Sequence, residues 1–239
     1  MAKRKTKKTA PEPRRFQPVR WVRRWTIRFC LIVIVVVVGT VAAHRVLSPP
    51  QTFYMGQEAR RLGGIDYQWV PLDDVAPVMA RSVVAAEDAN FCLHWGFDMA
   101  AIRTAIEDGG GRGASTLSQQ TVKNVYLWHG RSWLRKALEA AITPVVEGLW
   151  TKRRIIEVYL NVAEFDEGIF GVEAAARHYF GVGPEDLSAM QAARLAAVLP
   201  DPKDRSASKP GEWLRKRAAS IMDGAATIRR DGRSACFED

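Results

Sequence analysis

An uncharged, strongly apolar run from Phe29 to Ala43 constrains the fold of this chain more than any other feature. With its apolar neighbours, the run approaches the roughly 20 residues that a helix needs to cross a bilayer. Eleven Lys or Arg and one acidic residue lie within residues 1–28, whereas the rest of the chain has 24 basic and 25 acidic residues. Because basic flanks stay on the cytoplasmic side of a membrane, the sequence predicts a basic cytoplasmic tail at 1–24 and a transmembrane signal anchor at 25–47.

Two other interpretations of the apolar run remain open at the level of sequence. The run could be a buried core helix, or a cleaved signal peptide, since Val41-Ala42-Ala43 is compatible with a cleavage site. The long basic region before it favours a retained anchor. The near-neutral remainder also argues against a nucleic-acid-binding protein, in which the basic patch usually lies on the folded domain.

The cysteines and glycines give little sign of a bound metal or nucleotide. Cys30, Cys92 and Cys236 lack the spacing of a metal site. A disulfide between Cys92 and Cys236 could form, but no sequence feature supports it. The glycine-rich stretch 109–113 follows no strand-like run, so it is a weak nucleotide-binding signal. The sequence therefore predicts no metal site.

The chain beyond the anchor consists of a linker at 48–66 and one domain at 67–239. Helical periodicity dominates this domain, which predicts a mainly α fold. Helices are expected from residue 73 or 74 to about 89 and at 98–108, 115–127, 132–143, 151–161, 172–179, 187–199 and 210–229. The best strand candidate is Tyr67 to Val70.

Capping residues and one proline predict where several helices begin and end. Asp73 or Asp74 is expected to cap the first helix of the domain, which should end near Ala89. Pro144 is expected to end or kink a later helix, because it lacks a backbone N–H and crowds the preceding turn. The other expected N-terminal caps are Asp98, Ser115 or Thr116, Ser132 and Thr151.

The first cluster of polar residues is EDANFCLHWGFD at 87–98, directly after the small and apolar SVVAA. Glu87 and Asp88 are adjacent carboxylates at the end of an apolar helix. Mutual repulsion and lost hydration both raise a carboxyl pKa towards that of a useful base. Taken alone, the pair could be an ordinary solvated helix end, and His94 a structural side chain.

The second cluster is GASTLSQQTVK at 113–123. Ser115 and Thr116 offer hydroxyls at a helix start, where free backbone N–H groups suit an anion. Gln120 and Lys123 are three residues apart and therefore share one helical face. Taken alone, this cluster could be a plain capped helix.

Two further clusters lie on later helices. In RSWLRKALE at 131–139, Arg135 and Lys136 lie four and three residues before Glu139, so the three share one face and can form ion pairs. A surface set of salt bridges is the alternative. The segment KRRIIEVYLN at 152–161 carries an apolar stripe and is best explained by helix packing.

In this order, EDANFCLHWGFD, GASTLSQQTVK, RKALE and KRRIIEVYLN resemble the successive motifs of glycosyltransferase family 51, the peptidoglycan glycosyltransferases. The resemblance runs from about Tyr67 to Pro210, and the short, singly anchored chain is similar to the monofunctional biosynthetic type. It implies a lysozyme-like helical glycosyltransferase domain over 67–239, preceded by a single N-terminal transmembrane helix. It also implies polymerisation of lipid II into glycan strands by inverting transfer, with release of undecaprenyl pyrophosphate.

The resemblance further implies roles for individual residues. Glu87 is the expected general base, and Glu139 is a second catalytic carboxylate that helps to organise the pyrophosphate site. The residues expected to bind substrate are Ser115, Gln120, Lys123, Arg131 and Lys136. The residues expected to support the site are Asp88, Phe91, His94, Gly96, Thr116, Gln119 and Arg135.

The resemblance also implies a setting for the enzyme. No cofactor is required, although Mg²⁺ or Mn²⁺ could bridge pyrophosphate and a carboxylate. The expected partners are lipid II, the growing glycan strand, membrane lipid, and other cell-wall synthesis and division proteins, but no nucleic acid. The expected location is the bacterial inner membrane, with one pass and a periplasmic catalytic domain.

One segment of the domain has the composition of a membrane-surface contact. Residues 125–134 place Trp128 and Trp133 beside basic side chains, which is typical of an interfacial segment, with core packing as the alternative. A lytic glycosidase and a catalytically inactive scaffold are the alternative functions for the whole chain. The cations near the carboxylates favour a pyrophosphate substrate over a neutral glycan.

Overall fold

The computed structural model describes residues 18–109, 113–130 and 132–238. These residues divide into two compact units, one ending at Thr40 and the other beginning at Val41. Helix α1 (Pro18–His44) is long and apolar enough to cross a membrane, and only 6% of its most apolar window is buried. A core helix of a soluble protein would be mostly buried, so the structure disfavours that interpretation.

The residues around the candidate cleavage site belong to the second unit. Val41 is fully buried, and its carbonyl accepts a hydrogen bond of 2.7 Å from Trp150 Nε1. Arg154 donates to the carbonyls of His44 and Leu47 at 3.0 and 2.6 Å. Cleavage after Ala43 would remove a buried side chain from the folded unit, so the structure favours a retained anchor.

The second unit is mainly α, as the sequence predicts. After α1 the helices are α2 (Phe53–Leu62), α3 (Pro77–Glu87), α4 (Met99–Glu107), α5 (Leu117–Tyr126), α6 (Trp133–Leu149), α7 (Lys152–Val162), α8 (Gly171–Phe180), α9 (Ala189–Val198), α10 (Glu212–Arg230) and α11 (Ala235–Glu238). Its three short strands are β1 (Asp66–Tyr67), β2 (Glu164–Asp166) and β3 (Ile169–Phe170).

The strands form a small sheet in the order β1-β3-β2. β1 runs parallel to β3, with Asp66 opposite Ile169, and β2 runs antiparallel to β3. The predicted strand from Tyr67 to Val70 is therefore largely wrong, since only Tyr67 lies in β1. Strands of two or three residues are too short to show an alternating pattern in the sequence.

Two groups of helices build the core and bring the polar clusters together. Helix α10 packs against α3 and α9, and α5 packs against α6 and α7. Met79 and Val83 of α3 and Ile155 and Leu160 of α7 are fully buried. Burying such side chains contributes roughly 1.5–3 kcal/mol each. The end of α3 and the face of α5 are thereby held on rigid elements.

The predicted start of the first domain helix is wrong. The segment Leu72–Asp74 forms a short 3-10 turn, and α3 begins at Pro77, whose fixed φ suits the first helical position. The helix ends at Glu87 rather than near Ala89. Asp88 leaves the helical conformation, with φ −160° and ψ 69°. The carboxylates of Glu87 and Asp88 are therefore not equivalent.

Pro144 is expected to end or kink its helix, and it does not end it, because α6 continues to Leu149. A proline in a helix interior costs about 3 kcal/mol. Thr143, Val146 and Glu147 are buried around this turn, so tertiary packing offsets the local cost. The expected caps are confirmed by side-chain hydrogen bonds to the backbone at Asp98, Thr116, Ser132 and Thr151.

A disulfide joins Cys92 and Cys236, which are 144 residues apart in the sequence. It links the segment after α3 to α11. No feature of the sequence supports this bond, because the two cysteines meet only through tertiary folding. Cys30 lies in α1 as a free, exposed cysteine.

Candidate active site

Glu87 is the last residue of α3, and it is mostly buried. Gln120 Nε2 donates a hydrogen bond of 2.9 Å to Glu87 Oε2. Burial raises the pKa of the Glu87 carboxyl, and the neighbouring Asp88 adds to that effect, while Gln120 and the charges of Arg217 and Lys123 oppose it. Lost hydration therefore outweighs the repulsion between adjacent carboxylates. A carboxyl with a raised pKa is suited to accept a proton near neutral pH.

Asp88 fastens the end of α3 to the start of α5. It is 7% exposed, and His94 Nε2 lies 2.8 Å from its Oδ1. The backbone N–H of Leu117, the first residue of α5, donates to Asp88 Oδ2 at 3.0 Å. The sequence predicts that free N–H groups at this helix start suit an anion, and for Leu117 that anion is the Asp88 carboxylate of the protein itself.

Thr116, Gln119 and Gly96 reinforce the same junction. Thr116 and Gln119 close a capping box at the start of α5, and Thr116 Oγ1 also donates to the carbonyl of Gly96 at 2.7 Å. Gly96 has φ +85°, and a Cβ there would lie 2.7 Å from the Thr143 Cγ2 of α6. Only glycine tolerates both conditions without strain. These predicted supporting residues therefore fix the spacing between elements.

Phe91 and His94 connect that junction to a buried ion pair. Phe91 is fully buried, and Lys152 Nζ lies 4.3 Å from the centre of its ring. Lys152 Nζ also donates to the carbonyl of His94 at 2.9 Å and to Glu147 at 2.8 Å. Glu147 in turn accepts a hydrogen bond from Ser118 of α5. Both members of the Lys152–Glu147 ion pair therefore make a further hydrogen bond, which a buried ion pair needs to offset its lost hydration.

Glu139 is 2% exposed and lies between two cations of its own helix. Arg135 Nη1 donates to Glu139 Oε2 at 2.7 Å, and Lys136 Nζ binds Glu139 Oε1. Lys136 Nζ also donates to Ser115 Oγ at 3.0 Å. The predicted shared face is confirmed, but the carboxylate is buried rather than part of a surface salt-bridge set. Glu139 thus holds Lys136 beside the start of α5.

Lys123 lies within electrostatic range of both glutamates. It is mostly buried, and it forms no hydrogen bond or ion pair within the described parts of the chain. Burial lowers the pKa of its ammonium group, and the charges of Glu139 and Glu87 both oppose this effect. A mostly buried cation without a partner favours binding of an anion. Arg131, the other predicted phosphate ligand, lies outside the described residues.

A cavity of about 390 Å³ opens beside Gln120 and Lys123. The ring of His129 stacks on the ring of Tyr54 in its wall, with centroids 3.6 Å apart. Burial lowers the pKa of His129 to about 4, and the cation Lys123 adds to the effect. This imidazole is therefore neutral at pH 7. A larger cavity of about 600 Å³, which includes Arg229 in its wall, is lined by none of the predicted site residues.

Sequence reasoning missed two residues that contact the site. Arg217 of α10 donates to the carbonyl of Ala86 at 2.9 Å, and its charge acts on Glu87. Tyr159 of α7 is 2% exposed, and its hydroxyl donates to Gln120 Oε1 at 3.3 Å. The packing interpretation of the α7 segment is confirmed, and one of its core residues also orients Gln120. A single arginine on an amphipathic helix carries no signal that could have revealed Arg217.

Within residues 18–109, 113–130 and 132–238, no group of three or more His, Cys, Asp or Glu side chains is arranged to hold a metal ion. The charges of Arg217 and Lys123 act on Glu87. The arrangement can accept a proton at one carboxylate and stabilise an anion close by.

Known proteins share this sequence over nearly its whole length. The family model described as Transglycosylase matches residues 56–226. A biosynthetic peptidoglycan transglycosylase of Jannaschia sp. (strain CCS1) is 59% identical over 237 residues, covering 99% of each chain. The proteins of that name from Rhodospirillum centenum and Salmonella enteritidis PT4 are 49% and 45% identical, covering 84% and 87% of this chain and 90% and 91% of their own.

The family match spans α3, α5, α6 and α7, which together carry both glutamates and the cations around Lys123. The resemblance seen in the sequence motifs is confirmed. The chain belongs to the transglycosylase family and is a peptidoglycan glycosyltransferase of bacterial cell-wall synthesis.

Proposed function

We propose that this enzyme polymerises lipid II, a disaccharide-peptide carried on undecaprenyl pyrophosphate, into glycan strands by inverting glycosyl transfer. One observation carries the proposal. A mostly buried glutamate with a raised pKa, Glu87, lies within electrostatic range of Lys123, a cation without a partner in the described chain. A proton acceptor and an anion-stabilising group are the two functions that this reaction requires.

Glu87 acts as the general base of the proposed reaction. It takes the proton from the 4-hydroxyl of the acceptor sugar, whose oxygen attacks the anomeric carbon at the reducing end of the growing strand. The amide nitrogen of Gln120 donates to one carboxylate oxygen of Glu87. The hydroxyl of Tyr159 donates to the amide oxygen of Gln120 and so orients the amide. General base catalysis by a positioned side chain contributes about 10²–10⁴-fold in rate.

The pyrophosphate that leaves the growing strand is stabilised by Lys123, Lys136 and Arg131. Among the described residues, no group accepts a hydrogen bond from the Lys123 ammonium. Its protons are therefore available to phosphate oxygens. Lys136 uses two of its protons on Glu139 and Ser115, and its side chain is 41% exposed, so a third proton can reach the substrate. Glu139 repels phosphate and therefore acts by orienting Lys136 and Arg135.

The cavity beside Lys123 is proposed to hold sugar residues of the substrate. Its volume of about 390 Å³ lies in the range of small-ligand sites. Its wall combines the stacked rings of Tyr54 and His129 with the amide of Gln120. The wall also holds the carboxylates of Glu164, Asp201 and Asp204 and two cations, of which Lys203 is paired with Glu58 and Glu164. Aromatic faces and hydrogen-bonding groups suit a glycan, while Lys123 suits the phosphate attached to it.

The membrane setting supports the same proposal. Helix α1 would anchor the chain in the inner membrane with the catalytic domain on the periplasmic side, as the basic flank predicts. Trp133, in the predicted interfacial segment, is 92% exposed. An exposed Trp near a lipid-linked substrate is suited to the headgroup region. The proposal includes no required cofactor, and other cell-wall synthesis proteins remain proposed partners.

The proposal is tested with the full chain in detergent or liposomes, supplied either with purified lipid II or with finished glycan. We expect polymer from lipid II and no cleavage of the glycan. Glu87→Gln should lower the polymerisation kcat by about 10²–10⁴-fold. The control Glu107→Gln changes an exposed carboxylate at the end of α4 and should retain full activity.

Two outcomes would favour the alternatives. Cleavage of finished glycan without polymerisation would show a lytic glycosidase. Full polymerisation by a correctly folded Glu87→Gln variant would remove Glu87 from the mechanism. A scaffold without catalytic activity predicts no product from either substrate.

A further inference from the structure

Residues 231–238, here named the C-terminal strap, lie against the loop 88–98 that follows Glu87. The strap contains α11 and begins where α10 ends. The match to the transglycosylase family ends at residue 226, so the strap lies outside it. Its contacts therefore lie outside the matched family region.

Three kinds of contact hold the strap on the loop. Arg233 Nη1 donates to the carbonyl of Ala89 at 3.0 Å, two residues after Glu87. The Cys92–Cys236 disulfide makes a covalent link in the middle of the loop. Phe237 is fully buried, and its ring centroid lies 6.4 Å from that of Phe91.

The strap is also fixed on its other side. Glu238 forms an ion pair with Arg81 of α3, and both side chains are mostly buried. Arg153 of α7 donates to the carbonyl of Phe237 at 3.0 Å. The strap therefore ties the loop to α3 and α7, the two helices that carry Glu87 and Tyr159.

The loop, in turn, sets the position of the proposed base. It carries Asp88 and His94, whose bond joins the end of α3 to the start of α5. Phe91 lies next to Cys92 and contacts both the His94 ring and Lys152. Releasing Cys92 would free the loop at its centre. A displacement of about 1 Å at a catalytic group can cost roughly 10²-fold in rate.

We propose that the Cys92–Cys236 disulfide is a positioning device for the catalytic loop and that full turnover requires it to be oxidised. This inference rests on the proposed role of Glu87. Cys92 and Cys236 are each partly exposed. The bacterial periplasm, where the domain is proposed to lie, is an oxidising compartment that maintains disulfides.

Forming the bond removes two electrons and two protons from the two thiols. The oxidant is the disulfide of another protein or of a small thiol, which exchange converts to two thiols. The reverse exchange, by a dithiol reductant, returns both protons and breaks the S–S bond. The loop contacts of Arg233 and Phe237 then persist without the covalent link.

The test uses the full wild-type chain, folded oxidised in detergent and then treated with tris(2-carboxyethyl)phosphine. Oxidised protein should show one reactive thiol, Cys30, and reduced protein three. We expect reduction to lower kcat for lipid II polymerisation by roughly 10- to 100-fold, with KM changed less than about twofold. Oxidised glutathione should restore the rate, and a Cys30→Ser control should respond in the same way.

Wild-type kcat in folded protein with three free thiols would overturn the proposal, and circular dichroism at the assay temperature checks the fold. If the reduced protein unfolds there, the double variant Cys92→Ala/Cys236→Ala decides, because it removes the covalent link and is assayed at a temperature at which circular dichroism shows it folded. A lowered kcat with unchanged KM in this variant supports the proposal, and a wild-type kcat overturns it. Cys30→Ala is the matched control, because it removes a cysteine outside the loop and the strap.

The two proposals fail in different ways. Polymerisation that survives Glu87→Gln would overturn the role of Glu87, whatever the redox state of the protein. Loss of activity in Glu87→Gln, together with full activity of the folded reduced wild type or of the folded Cys92→Ala/Cys236→Ala variant, would overturn only the disulfide proposal.

Discussion

The surroundings of Glu87 and Glu139 differ although the two side chains are chemically identical. Glu87 receives one hydrogen bond from a neutral amide, and no cation forms an ion pair with it among the described residues. Glu139 is bonded by both Arg135 and Lys136. Burial without a paired cation disfavours the charged form and yields a proton acceptor, whereas burial between two cations yields a fixed scaffold for those cations.

The comparison shows that position in a helix separates the two roles. Glu87 ends α3, where the chain turns away and leaves its carboxylate facing α5. Glu139 lies inside α6, where residues three and four positions earlier necessarily share its face. Lys123 lies between these regions and is acted on by both charges. The three predictions that follow test this division from the largest expected effect to the smallest.

Lys123→Met should reduce polymerisation most, because it removes the cation between the two regions. Loss of one positioned group that stabilises developing negative charge costs about 10²–10³-fold in kcat. The folded state should tolerate the change, since Lys123 has no partner among the described residues and methionine retains most of its apolar stem. Steady-state rates with lipid II measure the effect.

Lys216→Met is the matched control, because Lys216 is 76% exposed on α10. It should leave the rate unchanged. A Lys123→Met enzyme with a wild-type kcat would show that the pyrophosphate is stabilised by other groups. It would also show that Lys123 does not connect the roles of the two glutamates.

Glu139→Gln should lower stability, whereas Glu87→Gln should not. Removing the Glu139 charge leaves two cations unpaired. Breaking a fully buried ion pair lowers the free energy of unfolding by ~3–5 kcal/mol. Because Lys136 is 41% exposed, we expect a smaller loss of roughly 2–3 kcal/mol here. The folded-state pKa of Glu87 lies above its unfolded value. Ionisation of Glu87 therefore lowers the stability of the folded state as the pH rises from the unfolded-state pKa to the folded-state pKa. At pH 7 the Glu87→Gln variant, whose side chain is neutral, should be as stable as wild type or more stable.

Thermal unfolding at pH 7 measures both variants. Glu139→Gln should melt roughly 5–10 °C below wild type. Equal destabilisation by the two substitutions would mean that Glu87 is paired in the same way as Glu139, and the comparison would fail.

Arg217→Gln should cause the smallest change, a shift in pH dependence. Arg217 and Lys123 lower the pKa of Glu87, and Asp88 raises it, while Tyr159 faces it from α7. Removing the Arg217 charge should therefore raise the pKa of Glu87 further. The acidic limb of kcat/KM, which reports the free base, should move to higher pH.

The matched control for this shift is Arg215→Gln, an exposed change two residues earlier on α10. Its acidic limb should coincide with that of wild type. A limb that stays in place in Arg217→Gln would show that Arg217 only caps the carbonyl of Ala86.

Local features of the fold were readable in the sequence, and features that depend on neighbours were not. Thr116 and Ser132 were identified as caps because a capping side chain bonds its own first turn. The sequence leaves an end or a kink at Pro144 open, and the helix continues there because burial of Val146 and Glu147 overrides the local preference. The short β2 and β3 strands carry no periodic signal and form only because the chain places them side by side.

In the candidate site, too, some features were readable in the sequence and others depended on distant segments of the chain. The motif order identified Glu87, Lys123 and Glu139, and helical spacing alone placed Arg135 and Lys136 on the face of Glu139. The use of Asp88 to bind the start of α5 was not readable, since the two partners are 29 residues apart. Arg217 and Cys236 were missed for the same reason.

The sequence by itself determined a helix able to cross a membrane, the mainly α domain, the family and the charged residues that its motifs carry. These features follow from composition, helical period and motif order, all of which are local along the chain. Only the tertiary structure decided which glutamate lies next to a neutral amide and which lies between two cations. It also decided that a cysteine in the catalytic loop is joined to the end of the chain. The environment of a buried carboxyl, and hence its chemistry, is set by side chains that distant segments bring to it.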